Sequence, residues 1–455
     1  MLGGILLFGL LIRVYNLGGN PLWIDESTSS MAAKMILDKG VPVFDSGLFY
    51  SRALVFHYCQ AFMMLFGEGD FMVRFVSVIF GLLTVLLGYF IGKEYSKSGG
   101  IIVALFLAVF YLEVFFSRQA RMYQLFQLMF FLSLYLLYKA KEKKWLIYPA
   151  LVSLYVTIDT QIAGLVLCPF FIVFIWKYCK KWLSVFALIP LIWKFVGLFG
   201  LSSGESSVVT NYISSYFSLA SNMHYLLVFF VLGVVWAFYS KKLLTSLLVV
   251  PSLVLLVGVF SLKTFALRYE YFFVFALVVY GSLLFSFLYE KYGKLMLISI
   301  FAILIIPSTL FFPVNGINVL SLDYDYYDAS APTTDYKNLD SGLIEELREG
   351  VLISYFSSNV EWYIKKPDYV LGFSMNGIGY DHVSYNGSLG VVDVYSGALM
   401  LDSIEGDYYV LADRFSVSKL KEDQIDRLNE LIDGCEKVVN HYDLDVYHCT
   451  GVSLK

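Results

Sequence analysis

Two adjacent carboxylates follow the first hydrophobic segment of this chain, and they are its clearest candidates for chemistry. Asp25 and Glu26 end the run that begins at Arg13, where apolar residues give way to polar ones. Ionisable groups at the edge of a membrane are costly and usually face a functional cavity. We therefore expect the pair to line a cleft. Acids also stabilise the first turn of a helix, so a helix cap is the alternative interpretation.

Arginines collect at three further places. Arg118 and Arg121 are spaced i, i+3 beside Glu113, which predicts one shared helical face, while Arg268 precedes a late apolar run and Arg52 lies in an apolar loop. The planar guanidinium grips phosphate through two parallel hydrogen bonds. Together with the acids, these arginines predict a lipid-phosphate ligand. The alternative is that they pair with Glu113 or extend to lipid headgroups.

The elements that position these residues are predicted to be membrane helices. The chain has 455 residues, of which 58% are hydrophobic and 18% aromatic, and its mean hydropathy is +0.68. This composition excludes an ordinary soluble protein. Apolar runs long enough to cross a bilayer predict eleven spans. They are residues 1–17, 68–92, 100–116, 122–138, 145–158, 161–176, 182–200, 223–240, 243–261, 270–289 and 295–312.

Lysines give the predicted orientation, because they fall in alternate loops and so mark one side of the membrane as cytoplasmic. They are Lys93, Lys97, Lys139, Lys141, Lys143, Lys144, Lys177, Lys180, Lys181, Lys241, Lys242, Lys291 and Lys294. The loops 18–67, 117–121, 201–222 and 262–269 then face outward with all residues after 312. We expect a multi-pass protein of the plasma membrane whose N-terminus is cytoplasmic and whose acid pair lies outside.

A second domain is predicted after residue 312. Residues 1–312 contain 23 Lys and Arg against 13 Asp and Glu, whereas residues 313–455 contain 10 against 24. The acidic segment has short apolar runs separated by Gly, Pro and Asn, which predicts a small extracytoplasmic α/β domain. Its predicted strands are Val351–Tyr355, Tyr369–Gly372, Gly390–Tyr395 and Tyr408–Ala412, and its predicted helices are Ser341–Glu349 and Lys421–Asp433. A Cys435–Cys449 disulfide would suit this compartment, and the sequence leaves it open.

Several runs in the first 312 residues resemble the GT-C integral membrane glycosyltransferases, in the branch of the protein O-mannosyltransferases and lipid A aminoarabinose transferases. The runs are Arg13-Val-Tyr-Asn-Leu, Leu22-Trp-Ile-Asp-Glu-Ser, Phe66-Gly-Glu-Gly-Asp-Phe-Met-Val-Arg-Phe and Ser117-Arg-Gln-Ala-Arg-Met-Tyr. The resemblance implies a polytopic GT-C-like helical domain over 1–312, with interfacial helices in loop 18–67. It also implies transfer of a sugar from a polyprenyl (dolichyl-type) phosphate donor to a hydroxyl of a protein, lipid or glycan outside the cell. Membrane lipids are expected partners, and nucleic acid is not.

The resemblance also implies roles for single residues. Asp25 would be the general base of an inverting displacement, and Glu26 would position the acceptor or Arg118. The donor phosphate would be held by Arg268, Arg121, Arg118 and Arg52. Further residues that could line the cavity are Tyr50, His57, Tyr123, Asp159 and Tyr269.

The chain departs from the family pattern at two of these positions. Arg52 stands where relatives often have Lys followed by Pro, and Asp159 lies in a Thr-Ile-Asp run where many relatives have Thr-His-Tyr. A divalent metal is left open. Metal independence is preferred, because no Asp-x-Asp triplet accompanies the acid pair in its loop. His57, on an aromatic face, also fits a packing role.

Two other classes of function would place polar residues among membrane helices. A transporter or flippase often shows repeated halves and spans broken by Gly or Pro near the midplane. No such repeat is visible, and the charges gather at the outer boundary. A non-catalytic binder of lipid-linked sugars is the third class. The presence of both Asp25 and Arg268 favours the transferase over this binder.

Overall fold

The structure is a computed structural model. It describes residues 1–200, 224–260, 267–293, 334–355, 357–371, 383–386, 390–393, 399–400, 404–417, 422–440 and 443–454. The predicted span 295–312 and the predicted outer loop 201–222 lie outside the described residues. The chain divides into two compact units. Unit 1 is Met1–Leu17, Arg52–Phe56 and Arg74–Asp325, and unit 2 is Gly18–Ser51, His57–Val73 and Tyr326–Lys455.

The described residues up to 293 form helices joined by turns and short 3-10 segments. These are α1 (Leu2–Val14), α2 (Ile24–Lys39), α3 (Leu54–Met64), α4 (Asp70–Tyr95), α5 (Gly99–Val109), α6 (Tyr111–Phe116), α7 (Tyr123–Lys139), α8 (Ile147–Thr160), α9 (Cys168–Tyr178), α10 (Ser184–Gly200), α11 (His224–Phe260) and α12 (Leu267–Tyr292). Single 3-10 turns precede α8 and α10, and a longer 3-10 segment, Ile162–Leu167, precedes α9.

Three of these helices are long and apolar enough to cross a membrane, over Asp70–Tyr95, Leu227–Gly258 and Arg268–Tyr292. Others are apolar but shorter, so the described residues do not establish eleven spans. The predicted spans 223–240 and 243–261 join in α11, which is kinked where Lys241 leaves helical backbone angles. The predicted span 100–116 divides into α5 and α6 because Phe110 is extended.

Helices α11 and α12 approach closely at Gly233. A Cβ placed there would overlap the Tyr280 carbonyl oxygen, which is a backbone atom with little room to move. Small residues permit such close approach of membrane helices. One residue further along α12, a Cβ at Gly281 would make an ordinary contact, 3.8 Å from the Cβ of Phe229.

We expect Gly233→Ala to lower the stability of unit 1, because the two helices must separate to admit the methyl group. Overpacking of this kind typically costs about 1–3 kcal/mol. Thermal unfolding in detergent would measure the loss, and Gly281→Ala is the matched control that should melt like the wild type. An unchanged melting temperature for Gly233→Ala would contradict the close approach.

Unit 2 contains a mixed eight-stranded sheet in the described part of the chain. Its strands are β1 (Val351–Ser354), β2 (Tyr369–Val370), β3 (Val383–Asn386), β4 (Gly390–Asp393), β5 (Leu399–Met400), β6 (Ile404–Asp413), β7 (Glu436–Asn440) and β8 (Leu444–Leu454). They run in the order β3-β4-β5-β2-β1-β6-β8-β7. The central strands β5, β2, β1 and β6 are parallel, and antiparallel pairs flank them.

The helices of this segment are α13 (Ser341–Glu349), α14 (Ser357–Tyr363), α15 (Arg414–Val417) and α16 (Glu422–Ile432). Asp340 caps α13, because its carboxylate accepts the N–H groups of Gly342 and Leu343. Apolar side chains from β1, β6 and β8 form the core with those of α13 and α16. Cys435 and Cys449 form a disulfide, which the sequence left open.

Candidate functional site

The acid pair lies in the first turn of α2, in unit 2. Trp23 is the N-cap residue, and its backbone N–H donates to Glu26 Oε2 at 3.3 Å. Glu26 is buried, with 1% of its surface exposed, whereas Asp25 is partly exposed. The capping interpretation therefore applies to Glu26. The two neighbouring acids thus have different environments, and Asp25 is the one that solvent reaches.

The rest of α2 is packed inside unit 2. Ser27, Thr28, Ser29 and Ser30 are buried along with the apolar residues of the next turns. The hydroxyls of Ser27 and Thr28 donate to the carbonyls of Trp23 and Ile24 one turn earlier, which satisfies them inside the helix. A helix buried on so many sides is a rigid support for its first turn.

The far end of α2 is also fixed. Gly40 ends the helix in the left-handed conformation, with φ of +78°, which glycine adopts without strain. Lys39 then donates to Asp45 at 2.7 Å, and Lys366 lies 3.8 Å from the same carboxylate. The hydrogen bond from Lys39 holds the pKa of the Asp45 carboxyl below its ordinary value, against the opposing effect of burial.

Tyr50 and His57 meet in the same unit. Their ring centroids are 5.3 Å apart, and Tyr50 also packs on Phe44 and the apolar face of α2. His57 is 1% exposed, with Nδ1 3.5 Å from the Gln60 side-chain oxygen. The packing role anticipated for His57 fits this geometry, and Tyr50 packs against α2.

In unit 1, Asp159 lies at the N-terminus of α3. Its carbonyl accepts the N–H of Ala53, and its two carboxylate oxygens accept those of Leu54 and Val55 at 3.3 and 3.1 Å. A side chain distant in sequence thus performs the work of an N-cap. Arg52, which is exposed, directly precedes this capped turn. Asp159 therefore positions the segment that carries Arg52.

We expect Asp159→Ala to lower the free energy of unfolding by about 1 kcal/mol, the usual cost of losing an N-cap. Asp159→Asn keeps one side-chain oxygen as acceptor and should fall between the wild type and alanine. Thermal unfolding of the purified variants in detergent gives the order. Equal melting of all three proteins would contradict the capping role.

The predicted helical face of Arg118 and Arg121 is wrong. Residues 117–122 form a turn between α6 and α7, because the helix ends at Phe116 and restarts at Tyr123. Arg121 is 4% exposed, and its guanidinium carbon lies 5.6 Å from the centre of the Tyr123 ring. Ser77 donates to the Arg121 carbonyl at 3.3 Å and fixes the turn.

Arg118 and the buried Arg13 cap helix C-termini. The Arg118 guanidinium donates to the carbonyls of Arg13 at 2.9 Å and Tyr15 at 2.6 Å, at the end of α1. Arg13 in turn donates to Ala108 at 2.7 Å and Leu107 at 3.2 Å, at the end of α5. A cation at a helix C-terminus is stabilised by the helix dipole. Both arginines therefore have clear structural partners.

Arg268 and Tyr269 lie in the first turn of α12 and are partly buried, with the guanidinium carbon 5.4 Å from the Tyr269 ring centre. Phe116 connects the first turn of α12 with the turn that carries Arg121. The Phe116 ring stacks on Tyr271 at 4.1 Å and contacts Tyr123 at 5.9 Å. The structure thus brings the elements that carry Arg121 and Arg268 together through their neighbouring rings.

A buried polar network beneath these rings was not predicted. Tyr271 donates to Glu113 Oε2 at 2.9 Å, and Gln127 donates to Glu113 Oε1 at 2.9 Å. Gln124 contacts Tyr271 and Gln127 and donates to Thr84 at 2.9 Å. Polar residues spaced i, i+3 within the apolar run of α7 are the signal that could have revealed it. The network ties α12 to α6 and α7.

Within the described ranges, no group of three or more His, Cys, Asp or Glu side chains is placed to hold a metal ion. Metal independence stays a prediction.

The profile of the dolichyl-phosphate-mannose-protein mannosyltransferase family matches residues 51–202. Among curated proteins, none matches. The crystal structure of ArnT from Cupriavidus metallidurans in the apo state is similar over 98% of both chains, with a TM-score of 0.65 and 12% sequence identity.

Two further solved structures are similar. ArnT from the same organism bound to undecaprenyl phosphate gives a TM-score of 0.58 at 12% identity over 98% of both chains. The Archaeoglobus fulgidus oligosaccharyltransferase in complex with Zn and sulfate gives 0.54 at 14% identity, over 90% of this chain and 68% of that chain. At these identities the likeness concerns the fold. The resemblance predicted from the motifs is confirmed.

Proposed function

We propose that this chain, which has the fold of the GT-C glycosyltransferases, is a membrane glycosyltransferase. It moves a sugar from a polyprenyl-phosphate donor to an acceptor hydroxyl, with inversion at the anomeric carbon. The observation that carries the proposal is the fold match to a protein solved with undecaprenyl phosphate, together with the mannosyltransferase family match over residues 51–202.

We assign binding of the donor phosphate to the side chains of Arg121 and Arg268. Phe116 contacts Tyr123 and Tyr271, which follow the two arginines closely in sequence. Each arginine also lies beside a tyrosine ring. Arg52, exposed at the capped start of α3, is a further contact for the phosphate. Arg118 is assigned an indirect role, because it donates to the end of α1 and so holds the turn that carries Arg121.

Asp25 is assigned as the general base. It is partly exposed, whereas the neighbouring Glu26 is buried and accepts the Trp23 N–H. Because Asp25 is the more exposed of the two acids, the proton of the acceptor hydroxyl goes to Asp25. Glu26 then positions Asp25 by fixing the first turn of α2.

The bond changes of this reaction balance simply. The acceptor oxygen forms a bond to the anomeric carbon as its proton passes to Asp25. The bond from that carbon to the phosphate oxygen breaks with its electron pair, and polyprenyl phosphate leaves with one additional negative charge. Preorganised cations at the leaving group stabilise that growing charge. Arg268 and Arg121 supply them.

The reaction is assigned to the extracytoplasmic side of the plasma membrane. The disulfide between Cys435 and Cys449 supports this side for unit 2, because disulfides persist in oxidising compartments. Asp25 belongs to the same unit as this disulfide. The lysine distribution gives the same orientation from independent evidence.

The test is transfer by purified protein in detergent from a panel of radiolabelled polyprenyl-phosphate sugars. Appearance of free polyprenyl phosphate together with labelled product is the expected result. Tight donor binding without turnover would overturn the proposal in favour of a binder. Movement of intact donor across the bilayer of a proteoliposome, again without turnover, would identify a flippase.

A further inference from the structure

The short helix α14 holds the backbone that leads into α2. Leu22 precedes Asp25 by three residues, and its N–H donates to the Tyr363 hydroxyl oxygen at 2.6 Å. The Asn359 side-chain amide donates to the Leu22 carbonyl at 3.2 Å. Leu22 itself is fully buried. Both of its backbone polar groups are therefore satisfied by side chains of one helix that lies more than three hundred residues later in the chain.

Asp70 orients the Tyr363 hydroxyl. The hydroxyl donates to Asp70 Oδ2 at 3.0 Å, so its oxygen lone pairs remain for the Leu22 N–H. Trp362 donates to Asp70 Oδ1 at 3.0 Å, and Lys337 donates to Oδ2 at 2.9 Å. Asp70 is buried, with 6% of its surface exposed. A buried carboxylate with three donors is well fixed, and it fixes Tyr363 in turn.

A second contact lies on the other side of Asp25. The hydroxyls of Thr28 and Ser358 are 3.1 Å apart, and both residues are buried. Asp25 thus stands midway between Leu22 and Thr28, each of which is bonded to α14. The Trp362 side chain also packs against the apolar face of α2. Helix α14 consequently constrains the first turn of α2 before and after the acid.

We propose that α14 positions the general base, with Tyr363 as the principal positioning residue and Asp70 as its support. This inference rests on the proposed function and deepens it. Unit 2 contributes to catalysis by fixing Asp25 through Leu22 and Thr28, and Tyr363 acts without touching substrate. Reacting groups must be held closely, since a displacement of about 1 Å can cost roughly 10²-fold in rate.

The experiment compares Tyr363→Phe with the matched control Tyr409→Phe. The Tyr409 hydroxyl also makes one hydrogen bond in unit 2, to Glu346 at 3.3 Å, but on a strand of the sheet. We expect Tyr363→Phe to lower kcat at least about tenfold with donor Kd unchanged, and Tyr409→Phe to retain both values. Amide hydrogen exchange over residues 18–30 should be faster in Tyr363→Phe and unchanged in the control.

Wild-type kcat and wild-type exchange in Tyr363→Phe would overturn the inference. If that variant does not fold, Ser358→Ala replaces it, because it removes only the bond to Thr28 and nearly conserves volume. A lower kcat with faster exchange in Ser358→Ala supports the inference, and wild-type values oppose it. If the wild type transfers no sugar, the proposed function fails, while the exchange measurement still decides whether α14 fixes α2.

Discussion

Replacement of Asp25 by asparagine is expected to lower the rate of sugar transfer by about 10²–10⁴-fold, the contribution typical of a positioned general base. Asparagine is nearly the same size and keeps the first turn of α2 intact, but it cannot accept the proton of the acceptor hydroxyl. Donor binding should persist, because the phosphate is assigned to arginines of another unit. Single-turnover transfer and donor titration would measure both quantities.

Glu26→Gln is the matched control for this substitution. The carboxamide oxygen of the variant can still accept the Trp23 N–H, so the cap survives the change of charge. We expect Glu26→Gln to leave the transfer rate within about tenfold of the wild type, far above that of Asp25→Asn. If both variants lost the same factor in transfer rate, the assignment of different roles to Asp25 and Glu26 would be wrong. A larger loss for Glu26→Gln would assign the base to Glu26.

Replacement of Arg268 by glutamine is expected to lower kcat by about 10²–10³-fold, as the loss of one preorganised donor to a developing anion commonly does. The effect on kcat should exceed that on donor Kd, because the leaving phosphate gains charge in the transition state. Arg268→Lys restores the charge without the planar fork, so it should recover only part of the rate.

The control for Arg268 is Lys93→Gln. Lys93 also lies over a neighbouring ring, with its ammonium 5.9 Å from the centre of Tyr89, but in the last turn of α4, at the end predicted to be cytoplasmic. Its substitution should leave transfer unchanged. If Arg268→Gln retained wild-type kcat, the leaving-group role would pass to Arg121 or Arg52.

Local signals predicted the local structure well. Helix Ser341–Glu349 has the bounds that the sequence indicated, since Asp340 caps it with its own side chain. The strands Val351–Ser354 and Tyr369–Val370 also fall where apolar runs between turn residues placed them. In these cases the interactions that set the ends of the helix or strand lie within a few residues of it. The local sequence pattern is therefore sufficient to predict its bounds.

Local sequence patterns do not predict hydrogen-bond partners that are distant in sequence. Asp159 is a candidate for lining the cavity, and no local signal indicates that its carboxylate also caps a helix that begins a hundred residues earlier. Asp70 formed part of the family motif, but nothing local indicates that Trp362 and Lys337 bond to it. Hydropathy reports which side chains are buried and cannot say which surface buries them. A charged residue in a motif therefore indicates that the position has a function, but it does not indicate which residues bond to it.

The hydrogen bond from Leu22 to Tyr363 has a consequence for biosynthesis. The segment that leads into α2 emerges from the ribosome early, whereas α14, which fixes it, is made after α1 to α12. Contacts between such distant segments form late and slowly. A nascent chain would thus contain α1 to α12 before α14 could fix the position of Asp25. We therefore expect full activity to appear only once the carboxyl-terminal third has been synthesised and folded.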